Sequence, residues 1–186
     1  MTVSQGKHDL SIMQKDCKIT GKIWLIIDPQ STLINDIDTD MIFHNQYLAI
    51  TDINKMGQYT FDNLDGWKDF AHKAEKGDIV VVGKNFGAGS SRQQAVDCFA
   101  SLGIQAILAE SFGAIYKRNA INSGMPILTI TEIDLLKLSQ RDEINIDLEK
   151  GTVSNPNIHI EPFSKVQLDI YRAGNLFTFG KKIIEK

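Results

Sequence analysis

Residues 78–130 read DIVVVGKNFGAGSSRQQAVDCFASLGIQAILAESFGAIYKRNAINSGMPILTI, and this stretch decides the fold. Asp78–Val82 is an unbroken apolar run behind Gly77, the pattern of a strand buried on both faces. A glycine-rich turn, Gly83 to Gly89, follows it. From Arg92 to Leu102, the residues Ala95, Val96, Phe99 and Leu102 recur on one helical face. Ser90 and Ser91 stand at the expected N-cap and Gly103 at the expected end. Ile104–Ala109 predicts a second strand, Phe112–Asn122 a second helix ended by Gly124, and Met125–Ile130 a third strand. The order β-α-β-α-β predicts parallel strands joined by right-handed crossovers, hence an α/β fold.

Working outward, Lys22–Asp28 (KIWLIID) predicts another strand, with residues 1–21 a loose polar arm and residues 22–186 a single domain. Met41–Ile50 reads as a strand end or a short helical turn. Thr51-Asp52 reads as a cap for Ile53–Tyr59, and the spacing of Trp67, Phe70 and Ala74 predicts a helix from about Trp67. The last third changes character. Ile144–Leu148, Gly151–Val153, Ile158–Ile160 and Val166–Asp169 are short segments predicting β-hairpins, with Asn155-Pro156-Asn157 as a turn and a final helix over Leu168–Ala173.

The 186 residues are 42% hydrophobic and 23% charged, with a formal net charge of -3, which suits one soluble domain with a sizeable core. No excess of Lys and Arg points to nucleic acid or to an anionic membrane, so any anion must be held locally. No run approaches the roughly 18–20 apolar residues of a membrane span. Met1–Asp16 has no apolar segment of the secretory kind, which leads to the expectation of a cytoplasmic protein. The two cysteines, Cys17 and Cys98, form neither a disulfide framework nor a metal-binding spacing. An iron–sulfur cluster needs several thiolates, more than this chain alone supplies.

A strand, a glycine-rich turn and a helix start together predict an anion site, because unpaired N–H groups and the positive end of the helix dipole face the ligand. Gly87 and Gly89 permit close backbone approach, Ser90 and Ser91 add hydroxyls, and Arg92 adds a fork that matches a carboxylate. The nucleotide motifs Gly-x-x-x-x-Gly-Lys-Ser/Thr and Gly-x-Gly-x-x-Gly are both absent. Local chemistry alone leaves a functional anion site and a plain capping turn both open.

Several blocks taken in order resemble one family: Asp38-Thr39-Asp40, Tyr47-Leu48, Gly83–Arg92, Ala106–Phe112 and Arg118–Gly124. They are similar to the small subunits of isopropylmalate isomerases, whose fold is that of the swivelling β/β/α domain of aconitase. The resemblance implies a hydro-lyase subunit working with a large subunit that carries a [4Fe-4S] cluster, on a small dicarboxylate substrate in leucine biosynthesis. It implies no cofactor held by this chain. By the same resemblance Ser90 is the base, Ser91 and Arg92 bind a substrate carboxylate beside Gly89, and Asp38 and Asp40 order the site. Asn85, Gly87 and Arg118 support it. Where relatives acting on tricarboxylates often carry an arginine after Tyr-Leu, this chain has Ala49, and Leu48-Ala49-Ile50 suits an alkyl group better than a charge. Where the family commonly has Glu after the arginine, this chain has Gln93. A homoaconitase or dimethylmalate dehydratase small subunit, and a swivel domain that binds carboxylates without chemistry, remain alternative readings.

Overall fold

The computed structural model describes residues 15–130, 138–154 and 158–185. Seven strands form one sheet in the order β4-β3-β2-β1-β5-β6-β7. They are β1 (Lys18–Leu25), β2 (Ile79–Val82), β3 (Ala106–Ala109), β4 (Ile127–Thr129), β5 (Glu143–Asp147), β6 (Thr152–Ser154) and β7 (Ile158–His159). The first four are parallel and the last three antiparallel, so β1 is the seam. Its first half pairs with β5, from Lys18 opposite Asp147 to Lys22 opposite Glu143. Its second half pairs with β2, Ile23 opposite Ile79.

The β-α-β-α-β centre stands where the sequence places it. The crossovers are α3 (Gln94–Leu102) and α4 (Ala114–Asn122). All four residues of β2 are buried, and they alternate between two cores. Ile79 and Val81 join the core that contains Cys17, whereas Val80 and Val82 join the core that contains Cys98. An unbroken apolar strand is thus a two-faced one. Gly103 ends α3 in the left-handed conformation, φ 79°.

Four expectations change. The arm predicted over residues 1–21 gives way to strand at Lys18, because the exposed positions Lys18, Thr20 and Lys22 alternate with inward-facing ones and mask the apolar pattern. Residues 1–14 and the turn Asn155–Asn157 lie outside the described residues. The helix predicted from Trp67 shrinks to the short α2 (Phe70–Lys73). Trp67 instead donates its indole N–H to the Ile27 carbonyl at 3.0 Å and packs edge-on to Trp24. Val166–Asp169 is helical, not a strand. α5 (Lys165–Ala173) opens with a capping box in which Ser164 and Gln167 bind each other's backbone N–H groups. Finally α6 (Leu176–Ile184), capped by Asn175, adds a second C-terminal helix. Met41–Ile50 resolves into a helical turn, α1 (Thr39–Ile42), followed by a 3-10 turn over Asn45–Tyr47. Asp52 caps the next 3-10 turn at Ile53–Lys55, as Thr51-Asp52 predicts.

Among the described residues, the buried charged side chain is Asp78, at 3% exposure. Its Oδ2 accepts from Trp24 Nε1, the Glu75 backbone N–H and Arg141 Nη1, so its desolvation is offset by three donors. Arg141 also lies over the Trp24 ring, 4.8 Å from its centroid. This cluster ties the segment before β5 to the seam between β1 and β2.

Candidate active site

The site lies beyond the C-terminal ends of the parallel strands, the usual place for ligands in open α/β sheets. Two loops meet there. The chain after β1 runs alongside the glycine-rich loop after β2 and zips to it. The Gly83 N–H donates to Ile34, that of Asp36 to Lys84, that of Gly87 to Ile37 and that of Thr39 to Ala88, all between 2.8 and 3.1 Å. Asp36 and Asn85 face each other in the left-handed region, φ 56° and 57°, with Asn85 Nδ2 donating to Asp36 Oδ1 at 2.8 Å. Asn85 also donates its backbone N–H to Ser111 Oγ, which ties in the loop after β3.

Gly87 is needed for two independent reasons. Its φ is 74°, and a Cβ built on it would stand 2.2 Å from Cγ of the buried Tyr116 ring. Tyr116 is anchored by its hydroxyl on the Ala95 carbonyl. Gly87→Ala therefore loses about 3 kcal/mol of unfolding free energy by denaturant titration, from overpacking plus backbone strain. A loss under about 1 kcal/mol would show that the loop yields without cost.

The zipper delivers Asp38–Asp40 to the serine turn. Asp38 caps α1, its Oδ1 accepting from the N–H groups of Asp40 and Met41. Thr39 Oγ1 donates to the Ser90 carbonyl at 3.0 Å. Asp40 Oδ1 accepts from Arg92 Nη1 at 2.5 Å and from the Asn45 N–H at 3.0 Å, while Asn63 Nδ2 reaches Asp40 Oδ2 at 3.3 Å. Arg92 Nη1 also reaches the Phe43 carbonyl. Burial pushes the Asp40 carboxyl up, but the Arg92 hydrogen bond, the Asn45 N–H and the positive charge of Arg92 together hold it below its ordinary value.

One sequence expectation about this turn is corrected. Ser90 and Ser91 do not cap α3, which begins at Gln94 with Gln93 at its N-cap and no side-chain cap bond. Gly89 at φ 93° and the pull of Arg92 toward Asp40 hold residues 90–92 in an open bend, short of the helix. The dipole of α3 therefore acts on Ser90 only weakly, since that effect fades within the first turn. What the bend presents instead is backbone. Among the described residues, the N–H groups of Gly89, Ser90, Ser91, Arg92 and Gln93 meet no protein acceptor. Consecutive unpaired N–H groups of this kind form an anion-binding concavity. Ser90 and Ser91 are exposed, and the Arg92 side chain is only 16% exposed.

The remaining predicted residues fall into two groups. Leu48 meets the start of α3, its carbonyl accepting from Gln94 Nε2 at 3.5 Å, with the exposed Ala49 next to it in the chain, and the preceding Tyr47 stacks on Tyr59 at 3.9 Å. Arg118 lies on the exposed side of α4, and its neighbour Asn119 is the residue that approaches the turn, Nδ2 to Ser91 Oγ at 3.5 Å. The structure adds Thr39, Asn63 and Ser111, which the sequence does not single out as site residues. Thr39 lies inside Asp-Thr-Asp and Ser111 inside the block Ala106–Phe112, whereas Asn63 acts through folding alone.

Gly89, Ser90, Ser91 and Gln93 are exposed, so the bend faces outward. Hollows of about 410 and 450 Å³ lie elsewhere, one beside Gly103, Gly124 and Tyr171 and one beside Ile34 and Trp67. Nor do the thiols suit a cluster. Cys17 and Cys98 are buried in different cores on the two faces of the sheet, and burial pushes the Cys98 thiol up to about 12. Among the described residues, no helix is long and apolar enough to cross a membrane.

Comparison with known proteins agrees with this architecture. The profile of the aconitase C-terminal domain family matches residues 11–133. The 3-isopropylmalate dehydratase small subunit 1 of Archaeoglobus fulgidus is 38% identical over 170 residues, covering 89% of this chain and 99% of its own. The corresponding small subunit 1 of Thermotoga maritima is 35% identical over 169 residues, covering 88% and 95%. A crystal structure of 3-isopropylmalate dehydratase from Methanocaldococcus jannaschii superposes with a TM-score of 0.77 at 32% identity, covering 90% of this chain and 96% of that one. Agreement in fold, in the matched span and along nearly the whole length of these relatives shows that the chain belongs to the aconitase C-terminal domain family.

Proposed function

We propose that this chain is the small subunit of a cytoplasmic hydro-lyase that interconverts 2-isopropylmalate and 3-isopropylmalate by dehydration and rehydration. The observation that carries the reading is an exposed Ser90-Ser91 bend whose flanking charge, Arg92, is tucked under it and paired with Asp40. A catalytic turn left open on the surface is half of a cleft, and a large subunit closes it. The several thiolates a [4Fe-4S] cluster needs are more than the two buried cysteines of this chain provide, so the cluster is assigned to the large subunit.

Ser90, as an alkoxide, takes the proton from the substrate carbon. The C–H electron pair becomes the C=C bond and hydroxide leaves toward the large subunit. Rehydration returns the proton and puts hydroxyl on the neighbouring carbon. The unpaired N–H groups of residues 89–93 and the remaining Arg92 donors hold a substrate carboxylate and favour the serine anion. Thr39 holds the Ser90 carbonyl and thereby aims its hydroxyl. Asp40 keeps Arg92 in place. Leu48, whose carbonyl reaches Gln94 at the start of α3, and the adjacent Ala49 offer apolar surface to the alkyl group. A distal carboxylate there would be left unpaired, at a cost of about 1–3 kcal/mol.

Anaerobic co-expression with a cluster-bearing large subunit, assayed in parallel on isopropylmalate, homocitrate, citrate and dimethylmalate, tests this. Isopropylmalate has the highest kcat/KM. Turnover of homocitrate alone would move the chain to the tricarboxylate branch. Tight dicarboxylate binding by the chain with no turnover in any pairing would make it a binding domain.

A further inference from the structure

The serine bend is clamped on two sides. On one side are Thr39 and Asp40, already described. On the other, Gln93, the residue after Arg92, uses both hydrogens of its side-chain amide. Nε2 donates to Asp97 Oδ1 on α3 at 2.8 Å and to Ser123 Oγ at the end of α4 at 2.7 Å. One amide thus joins the bend to both crossover helices. Because Asp97 occupies it, this position is selective for charge. A carboxylate at 93 would place a second acceptor against Asp97 and leave Ser123 Oγ as the sole remaining donor of the three.

We propose that Gln93 is a positioning residue for Ser91 and Arg92, and that its lack of charge is what keeps the bend docked on α3 and α4. The inference rests on the function proposed above. The elements packed on α3 carry Asp40, Lys55, Tyr59, Tyr116, Lys117 and Arg118, and Cys98 follows Asp97 in sequence. Cys98, at about 12, and Tyr116, raised well above its ordinary value by burial, stay neutral near pH 7. Burial pushes the Asp97 carboxyl up, and the Gln93 amide opposes that shift.

The test uses Gln93→Glu and the exchanged pair Gln93→Glu/Asp97→Asn in the assembled enzyme. In the single variant two carboxyls share one proton at low pH, and the second ionises as pH rises, so the bend is released. Its kcat is expected to fall about 10-fold relative to the parent as pH rises from about 4 to about 7, the range in which a close carboxylate pair loses its second proton. The exchanged pair restores one amide and one carboxylate and returns kcat to within about 3-fold of the parent, with the parent's pH profile. A single variant with the parent's profile, or a double variant no better than the single one, overturns the inference. If the parent enzyme turns over none of the four acids, the proposed function fails instead. The same comparison is then read from melting of the full chain: Gln93→Glu loses melting temperature relative to the parent from about pH 4 to about pH 7, and Asp97→Asn restores it. Melting that is identical in all three chains sinks the inference by itself.

Discussion

With Ser90 changed to alanine, the assembled enzyme is expected to lose about 10³-fold in kcat, within the span for removal of a positioned general base. Its melting temperature and its association with the large subunit stay those of the parent. The separation of these effects follows from the geometry. Ser90 contributes its carbonyl to the Thr39 hydroxyl, and alanine keeps that carbonyl. Its side chain is exposed in the chain by itself, so removing the hydroxyl opens no core cavity. Near-normal turnover would remove Ser90 from the role of base. A loss of assembly would mean that the hydroxyl holds the interface and not the proton. Ser91→Ala serves as the companion measurement, because a carboxylate-binding hydroxyl shows mainly in KM.

Arg92→Ala is the second large effect, with kcat/KM falling about 10³-fold from loss of a charge-assisted carboxylate contact and of the bend's anchor. Arg92→Lys recovers little of it, because an ammonium cannot serve Asp40 and a substrate carboxylate in one plane. The alanine variant also changes the pH dependence of stability. In the parent the Asp40 carboxyl is held below its ordinary value. The pair therefore stabilises the fold above the unfolded carboxyl pKa and is lost as pH falls through the lower folded value. Without Arg92 the burial effect on Asp40 meets weaker opposition, so its folded pKa rises. Acidification then narrows the stability gap between parent and variant. Melting curves from pH 7 down to pH 4 check this: a gap that widens toward acid would show that Asp40 is not Arg92's partner in solution.

How much of the fold is readable in the chain depends on how local each cause is. β2, β3 and their crossover helices are legible because burial on both faces of a strand writes an unbroken apolar run, and nothing else in 78–130 competes with it. Lys18–Gly21 is not, because a half-exposed strand carries polar residues at every second position. α5 is half legible: its capping box, Ser164 and Gln167, is a local signal that the short β-like segment Val166–Asp169 obscures. α6 is hidden, since none of its described residues is buried. The helix expected at Trp67 fails for a different reason. An indole N–H satisfied by Ile27, forty residues earlier, outweighs a spacing of three and four.

By itself, the sequence determined the α/β order, the glycine-serine block and the membership that its motif blocks imply. Each of these is carried by runs of neighbouring residues. Tertiary structure alone decided that the serines lie in an open bend ahead of α3 and do not cap it. It also decided that Arg92 turns back onto Asp40 and that Gln93 reaches Asp97 and Ser123. The physical reason is that each outcome is a competition for a donor. Fifty-two residues separate Asp40 from Arg92 and thirty separate Gln93 from Ser123, and only the folded chain brings the rival acceptors within reach.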